Sequence, residues 1–275
     1  MPRRGFSITL AGMKSTASVR AVISLVLVLA FIAGCGSWGK SVDKTRDWSA
    51  ERLYEEAKLN LQNGNYETAI EYYDKLESRF PFGTLAQQAQ LDVAYAYYKF
   101  DEPASAIAAA DRFIKLHPRQ ANVDYAYYLK GLVHFSQGES FFDRFFPRDM
   151  SLRDPGAARE SFEAFSELVR RFPDSKYAKD ASQRMVYLKN MLAQHEVHVA
   201  NYYMRRGAYL AAANRASYVV ENFQRTPAVP DALAVMAKAY TSMGLDKLAA
   251  DSVRVLRLNY PNHKGISEID GLSKK

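Results

Sequence analysis

The feature that most constrains this chain is a small residue that returns twelve positions after another. Alanine fills both members in four places, Ala57/Ala69, Ala94/Ala106, Ala200/Ala212 and Ala237/Ala249. The surroundings of these pairs repeat as well. "NGNYETAIEYYDKLESRFP" (63–81) carries Gly64, Tyr66, Ala69 and Pro81, and "MGLDKLAADSVRVLRLNYP" (243–261) returns Gly244, Ala249 and Pro261 at the same offsets. Apolar residues keep helical spacing, Leu53, Ala57 and Leu61 before the turn and Ala69, Ile70, Tyr73 and Leu76 after it. Pro81, Pro118, Pro173 and Pro261 stop the second helix of each pair. A small residue on each arm lets two antiparallel helices cross closely.

This is the tetratricopeptide (TPR) pattern, whose repeat is about 34 residues. Five units are expected, near 50–81, 87–118, 124–173, 193–227 and 230–261. In the third, Gly131 and Ser161 occupy the small-residue positions 30 apart, which places eighteen extra residues in its turn. In the fourth, residues 175–206 contain no breaker and read as one long first helix. The fold class is therefore all-α, an α-solenoid of about five helical hairpins. Such arrays bury a continuous core between neighbours and offer an extended concave face that binds polypeptides.

Catalytic chemistry is not visible. The sequence has no Gly-rich phosphate loop, nucleophile elbow or zinc helix. His195 and His198 stand one helical turn apart, but Glu196 between them points to another face and a zinc site wants three or four ligands. They read as solvated helix histidines, so no metal, no cofactor and no enzyme are expected.

The only cysteine, Cys35, follows a short apolar run at residues 21–32. Upstream stand Arg3, Arg4, Lys14 and Arg20, with no acid before Asp43. A basic segment, an apolar stretch too short to span a bilayer and then Ala33-Gly34 form a secretory signal over residues 1–34. Met13 would serve equally as its start. Ile32-Ala33-Gly34-Cys35 resembles the bacterial lipobox, which implies diacylation of the Cys35 thiol and cleavage before it. More than one acyl chain is what stable anchoring requires. Gly36-Ser37 after the cysteine favours the outer membrane by the same analogy, and a small polar tether leads into the fold, the acylated Cys35 and tether occupying 35–48. Without its signal the chain carries 33 basic and 30 acidic residues, too mild an excess for nucleic acid.

Two surfaces suggest binding. Groove-facing positions of the first two units are Glu51, Tyr54, Lys58, Leu61, Gln88, Leu91, Tyr95 and Tyr98, with Lys99 beside them. An aromatic-aliphatic trough with cationic edges suits an extended peptide bearing aromatic side chains and a terminal carboxylate. The same tyrosines could instead fill space between repeats. The insertion 136–156 carries Phe141, Phe142, Phe145 and Phe146 on one face of a short helix. They either fold back onto the third and fourth units or form an interaction wedge.

"RFPFGTLAQQAQLDVAYAYYK", "DRFIKLHP", "NVDYAYYLKGL", "RDPGAARESFEAFSELVRRFP" and "RGAYLAAANRASYVVENF" together resemble the BamD (ComL/YfiO) family of outer membrane lipoproteins. The resemblance runs in order across almost all of the chain after the signal, the lengthened third unit included. It implies a non-catalytic scaffold of the β-barrel assembly (BAM) machinery, lipid-anchored on the periplasmic face of the outer membrane. The C-terminal units (175–261) would hold the POTRA domains of BamA. The N-terminal units (49–120) would receive unfolded outer membrane protein precursors by their β-signal, and the N-terminal half would dock BamC and other Bam lipoproteins. Residues 121–174 would form the third unit with its insertion, and 262–275 a fraying polar tail. Arg215 matches the family's arginine that pairs with an acidic POTRA residue, where a planar guanidinium fork suits a carboxylate better than lysine. A different reading of a membrane-anchored TPR chain is a periplasmic scaffold for peptidoglycan and envelope machinery.

Overall fold

The computed structural model describes residues 43–137, 150–152 and 154–272. The signal segment, Cys35 and the four phenylalanines of the insertion lie outside them. The chain divides after Asp47 into two units. Of the first, residues 43–47 form a turn in which the Thr45 hydroxyl donates to Asp43 (2.7 Å).

The second unit is all helical among the described residues. Its helices are α1 (Ala50–Gln62), α2 (Tyr66–Arg79), α3 (Thr84–Lys99), α4 (Pro103–Leu116), α5 (Val123–Gln137), α6 (Gly156–Arg171), α7 (Ala178–Arg205), α8 (Tyr209–Asn222), α9 (Val229–Ser242), α10 (Asp246–Asn259) and α11 (Gly265–Leu272), with a 3-10 turn at Met150–Leu152. Each packs on the next, and α1 to α10 form a tetratricopeptide-type solenoid. The second helices end two residues before Pro81, Pro118, Pro173 and Pro261, because the residue preceding proline is pushed out of the helical region.

The alanine pairs are buried, as close packing of the paired helices requires. Ala57, Ala69, Ala94, Ala106, Ala200, Ala212 and Ala237 are fully buried. Four of the turns that join paired helices are three residues long, and the middle residue of each has positive φ: Gly64, Asp101, Gly207 and Gly244. The amides of Asn65, Glu102, Ala208 and Leu245 then reach carbonyls five residues back, at Asn60, Tyr97, Tyr203 and Tyr240 (2.9–3.0 Å). This closes each first helix with a Schellman cap and aims the chain back along it. Glycine adopts that conformation without strain; Asp101 does so at a cost.

The third pair makes the same approach without the short turn. Ser161, fully buried on α6, donates its hydroxyl to the Gly131 carbonyl on α5 (2.9 Å). A Cβ on Gly131 would stand 2.3 Å from the Phe165 ring, so the hydrogen is the side chain that fits. The fourth unit contains the expected long helix, α7, whose length lets it touch both α6 and α9.

The C-terminal tail departs from expectation. Instead of fraying, it forms α11, which buries Ile269 and half-buries Ile266 against α9 and α10. Lys238 pairs with Glu268 and Arg257 with Asp270, fastening the helix at its rim. Two isoleucines at i and i+3 in a short polar stretch were enough to cap the open end of the stack.

Substituting Asp101→Gly should raise stability by about 0.5–1 kcal/mol, since it removes a left-handed non-glycine residue. Gly131→Ala should lower it by about 1–3 kcal/mol, because the added methyl meets a buried ring. Urea unfolding followed by circular dichroism measures both.

Candidate partner-binding surfaces

Among the residues expected to line a trough on the first units, the structure places a carboxylate, Asp92, against Tyr54 and Gln88. Tyr54 on α1 donates its hydroxyl to Asp92 Oδ2 on α3 (2.8 Å), and Gln88 Nε2 donates to Asp92 Oδ1 (2.9 Å). Burial pushes the Asp92 carboxyl above its ordinary range, although hydrogen bonds from Tyr54 and Gln88 and the nearby Lys58 charge oppose this. The Tyr54 hydroxyl is held protonated, by burial first and then by that carboxylate. Lys58 Nζ lies 5.9 Å from the centre of the Tyr54 ring. Tyr95 and Tyr98 are half-buried with ring centres 6.2 Å apart, Leu61 packs against the first core cluster, and Lys99 is exposed.

Leu91 is a correction. It is 2% exposed and belongs to the core with Phe113, Tyr127 and Phe165, so it does not line the groove. The positional rule that placed it there slips one step in α3, where Asp92 takes the polar position.

A second tyrosine–aspartate bridge links the next pair of first helices. Tyr128 on α5 donates to Asp180 Oδ2 on α7 (2.7 Å), and Arg184 Nε donates to the same oxygen (2.6 Å). Tyr128 stacks on Tyr177 at 4.7 Å, and Tyr125 lies 5.3 Å from the same ring. Burial, followed by the bond to Asp180, pushes the Tyr128 hydroxyl up to about 12. Burial works against ionisation of Asp180, but the hydrogen bonds from Arg184 and Tyr128 prevail and its carboxyl stays below its ordinary range.

Arg215 on α8 does not stand free. Its Nη1 donates to Glu196 Oε2 on α7 (2.9 Å), while Arg159 Nη2 on α6 donates to Glu196 Oε1 (3.3 Å). Glu196 is 3% exposed; the Arg215 and Arg159 side chains are 47% and 54% exposed. Glu196 thus has two arginines for partners. His195 Nδ1 instead meets the Ser151 carbonyl (2.8 Å). His198 also has an interaction partner, and no group of three potential ligands exists among the described residues.

The outer side of α10 exposes Leu248 (46%), Val255 (39%) and Leu258 (76%), and Leu245 (43%) adjoins them in the turn before it. Beside them a cleft is lined by Thr241 of α9, Asp246, Arg254 and Arg257 of α10, and Asp270 of α11. No described helix is long and apolar enough to cross a membrane.

Sequence reasoning missed Asp92, Asp180, Arg159 and the role of Glu196. Asp92 had a visible signal, a carboxylate inside the otherwise apolar "LDVAYAYY" of a first helix. Arg159 had none, since its partner is 37 residues away.

Residues 46–256 match the YfiO family, described as outer membrane lipoproteins. An outer membrane protein assembly factor BamD from Neisseria meningitidis serogroup B is 51% identical over 239 residues, covering 87% of this chain and 90% of that protein. A BamD from Vibrio cholerae is 38% identical over 237 residues, covering 86% and 97%. One from Haemophilus influenzae is 35% identical over 237 residues, covering 86% and 89%.

The Asp92 environment sets a pH signature. A carboxyl raised in the folded state contributes stability below its unfolded range and loses it as pH rises through the folded value. Asp92→Asn should therefore be more stable than the wild type at neutral pH, with the difference shrinking as pH falls through the raised folded value and gone below the ordinary carboxylate range. Thermal melts across pH 3–7, as about half-unit steps, measure the two curves.

Proposed function

The chain belongs to the YfiO family of outer membrane lipoproteins, and on that premise we propose that it is an outer membrane protein assembly factor, a BamD-type scaffold of the β-barrel assembly machinery. The observation that carries this reading is that the similarity to assembly factors spans nearly the whole solenoid, from before α1 into α10. Nothing favours the peptidoglycan-scaffold alternative.

The chain works by binding, without catalysis. Acyl chains on Cys35 hold it to the periplasmic face of the outer membrane. The C-terminal helices take the POTRA domains of BamA, supported by the half-exposed Arg215 and by the apolar outer side of α10. An apolar centre with cationic and acidic residues at its edge, here Leu248, Val255 and Leu258 beside Arg254 and Asp246, is the anatomy of a protein interface. Other Bam lipoproteins such as BamC dock on the N-terminal half.

The N-terminal trough receives unfolded barrel precursors. Tyr54, Tyr95 and Tyr98 offer ring faces to the aromatic side chains of a β-signal, and Lys58 and Lys99 give the cationic edge. Asp92 adds a feature the sequence reading lacked. A terminal carboxylate is repelled from it, so the peptide runs with its backbone amides toward Asp92 and its carboxylate toward the lysines.

The test is a detergent-extracted pull-down of the tagged lipoprotein, wild type beside Arg215→Ala, with co-purifying proteins identified by mass. The expected outcome is a POTRA-containing barrel protein with the wild type and its depletion by about tenfold with the variant, at unchanged helix content. Equal recovery would remove Arg215 from the interface. Recovery of murein enzymes in place of a barrel assembler would remove the assembly role.

A further inference from the structure

Glu196 is a buried carboxylate held by two arginines that come from different helices on either side of it. Arg159 reaches it from α6 and Arg215 from α8, each taking one carboxylate oxygen. The two arginine side chains are about half exposed while the Glu196 side chain between them is 3% exposed. Two cations and one anion leave the cluster with a net positive charge, presented entirely by the outer, guanidinium side. Each guanidinium has five N–H donors in a fixed plane and spends one of them on Glu196 in this arrangement. Both side chains keep about half of their surface exposed beyond that bond.

We infer that Arg159 and Arg215 together form a two-armed receptor for a side-chain carboxylate of a folded protein partner, with Glu196 as the positioning residue that holds both arms. This rests on the reading of Arg215 as a partner contact and extends it to Arg159 and Glu196. A free arginine has to surrender side-chain freedom before it can grip a ligand. Here a buried carboxylate has fixed both side chains in advance, so a partner carboxylate meets preorganised donors. Because both oxygens of Glu196 are engaged, it fixes the two guanidiniums relative to each other as well as to the fold. The site also spans the joint between the lengthened third unit and the fourth, so a partner seated on it reads two units at once.

The occupant is a folded partner's Asp or Glu and not the terminal carboxylate of an extended peptide. The aromatic groups suited to a peptide lie in the trough on α1 and α3, whereas this cluster is on α6, α7 and α8. Two planar guanidinium forks suit a carboxylate partner.

The experiment measures binding of purified POTRA domains of the host's barrel assembler to the full lipoprotein in detergent, at low and high salt. Wild type, Arg159→Ala, Arg159→Lys, Arg215→Ala, the double alanine variant and Glu196→Gln are compared, each checked for helix content and melting temperature. Arg159→Ala should weaken binding about tenfold, comparable to Arg215→Ala. The double variant should lose less than the product of the two, because both arms serve one site. Arg159→Lys keeps the stem and the charge but not the fork, and should fall between wild type and alanine even if the alanine variant folds poorly. Glu196→Gln should bind more weakly while its salt dependence steepens, since the site gains net positive charge as it loses order; a purely structural role would not steepen it.

Wild-type affinity in folded Arg159→Ala or Arg159→Lys would overturn the second arm and leave Arg215 standing. Tighter binding by Glu196→Gln would overturn the positioning role, making Glu196 a mere competitor for the arginines. Failure of wild type itself to bind the POTRA domains would remove the underlying reading together with this one. Competition by a C-terminal β-signal peptide, absent when its carboxylate is amidated, would reassign the receptor to precursors and overturn it as a folded-partner site.

Discussion

The paired helices of this chain bring their spaced alanines out of solvent: Ala57 and Ala69, Ala94 and Ala106, and Ala200 and Ala212 are fully buried, each pair within one core cluster. The third pair achieves the same closeness with Gly131 against Ser161, at the expense of a hydrogen bond that satisfies the serine. Larger side chains at these points would separate the helices by the width of each added carbon, and each hairpin buries its remaining face only against its neighbours. The stack is therefore stable as a whole and its units have little core of their own. Four overlapping apolar clusters run from α1 to α11, and α11 closes the last one.

Alanine crossings permit close approach but discriminate poorly between registers, since one methyl resembles another. Polar links between helices of the stack supply the discrimination. Tyr54 to Asp92, Tyr128 to Asp180, and Arg159 and Arg215 to Glu196 each join residues from separate helices of the stack, and each leaves a partly buried charge if the register slips. Such groups add little net stability, because desolvation offsets their attraction, yet they are costly to leave unpaired. Two of these links, at Asp92 and at Glu196, lie at the surfaces proposed to bind partners. A group that holds two units in register also holds its exposed neighbours in fixed positions.

The helices were legible in the sequence because their cause is local. Periodic alanines, a turn residue five positions before the second alanine and a proline past the end all act within one hairpin. Even the interrupted third unit was readable, since Gly131 and Ser161 kept their roles while the spacing grew. The side-chain network was not legible, because its partners lie 19 to 52 residues apart and no pattern links them. Leu91 was misplaced by applying a fixed positional rule to a helix whose polar face is set by Asp92. The tail was misread because its polar composition outweighed two isoleucines whose burial depends on a groove that exists only after the stack forms.

The account turns on one rigid array carrying two separate binding surfaces, one for the machinery and one for its cargo. The most direct test is site-specific photocrosslinking in growing cells, with the photoreactive residue placed at exposed Asn214 beside Arg215 and, separately, at Lys99 beside the trough. The account predicts an adduct with a POTRA-containing barrel assembler from position 214 and adducts with barrel precursors in transit from position 99. Adducts with murein enzymes at either position, or the same partner at both, would contradict it.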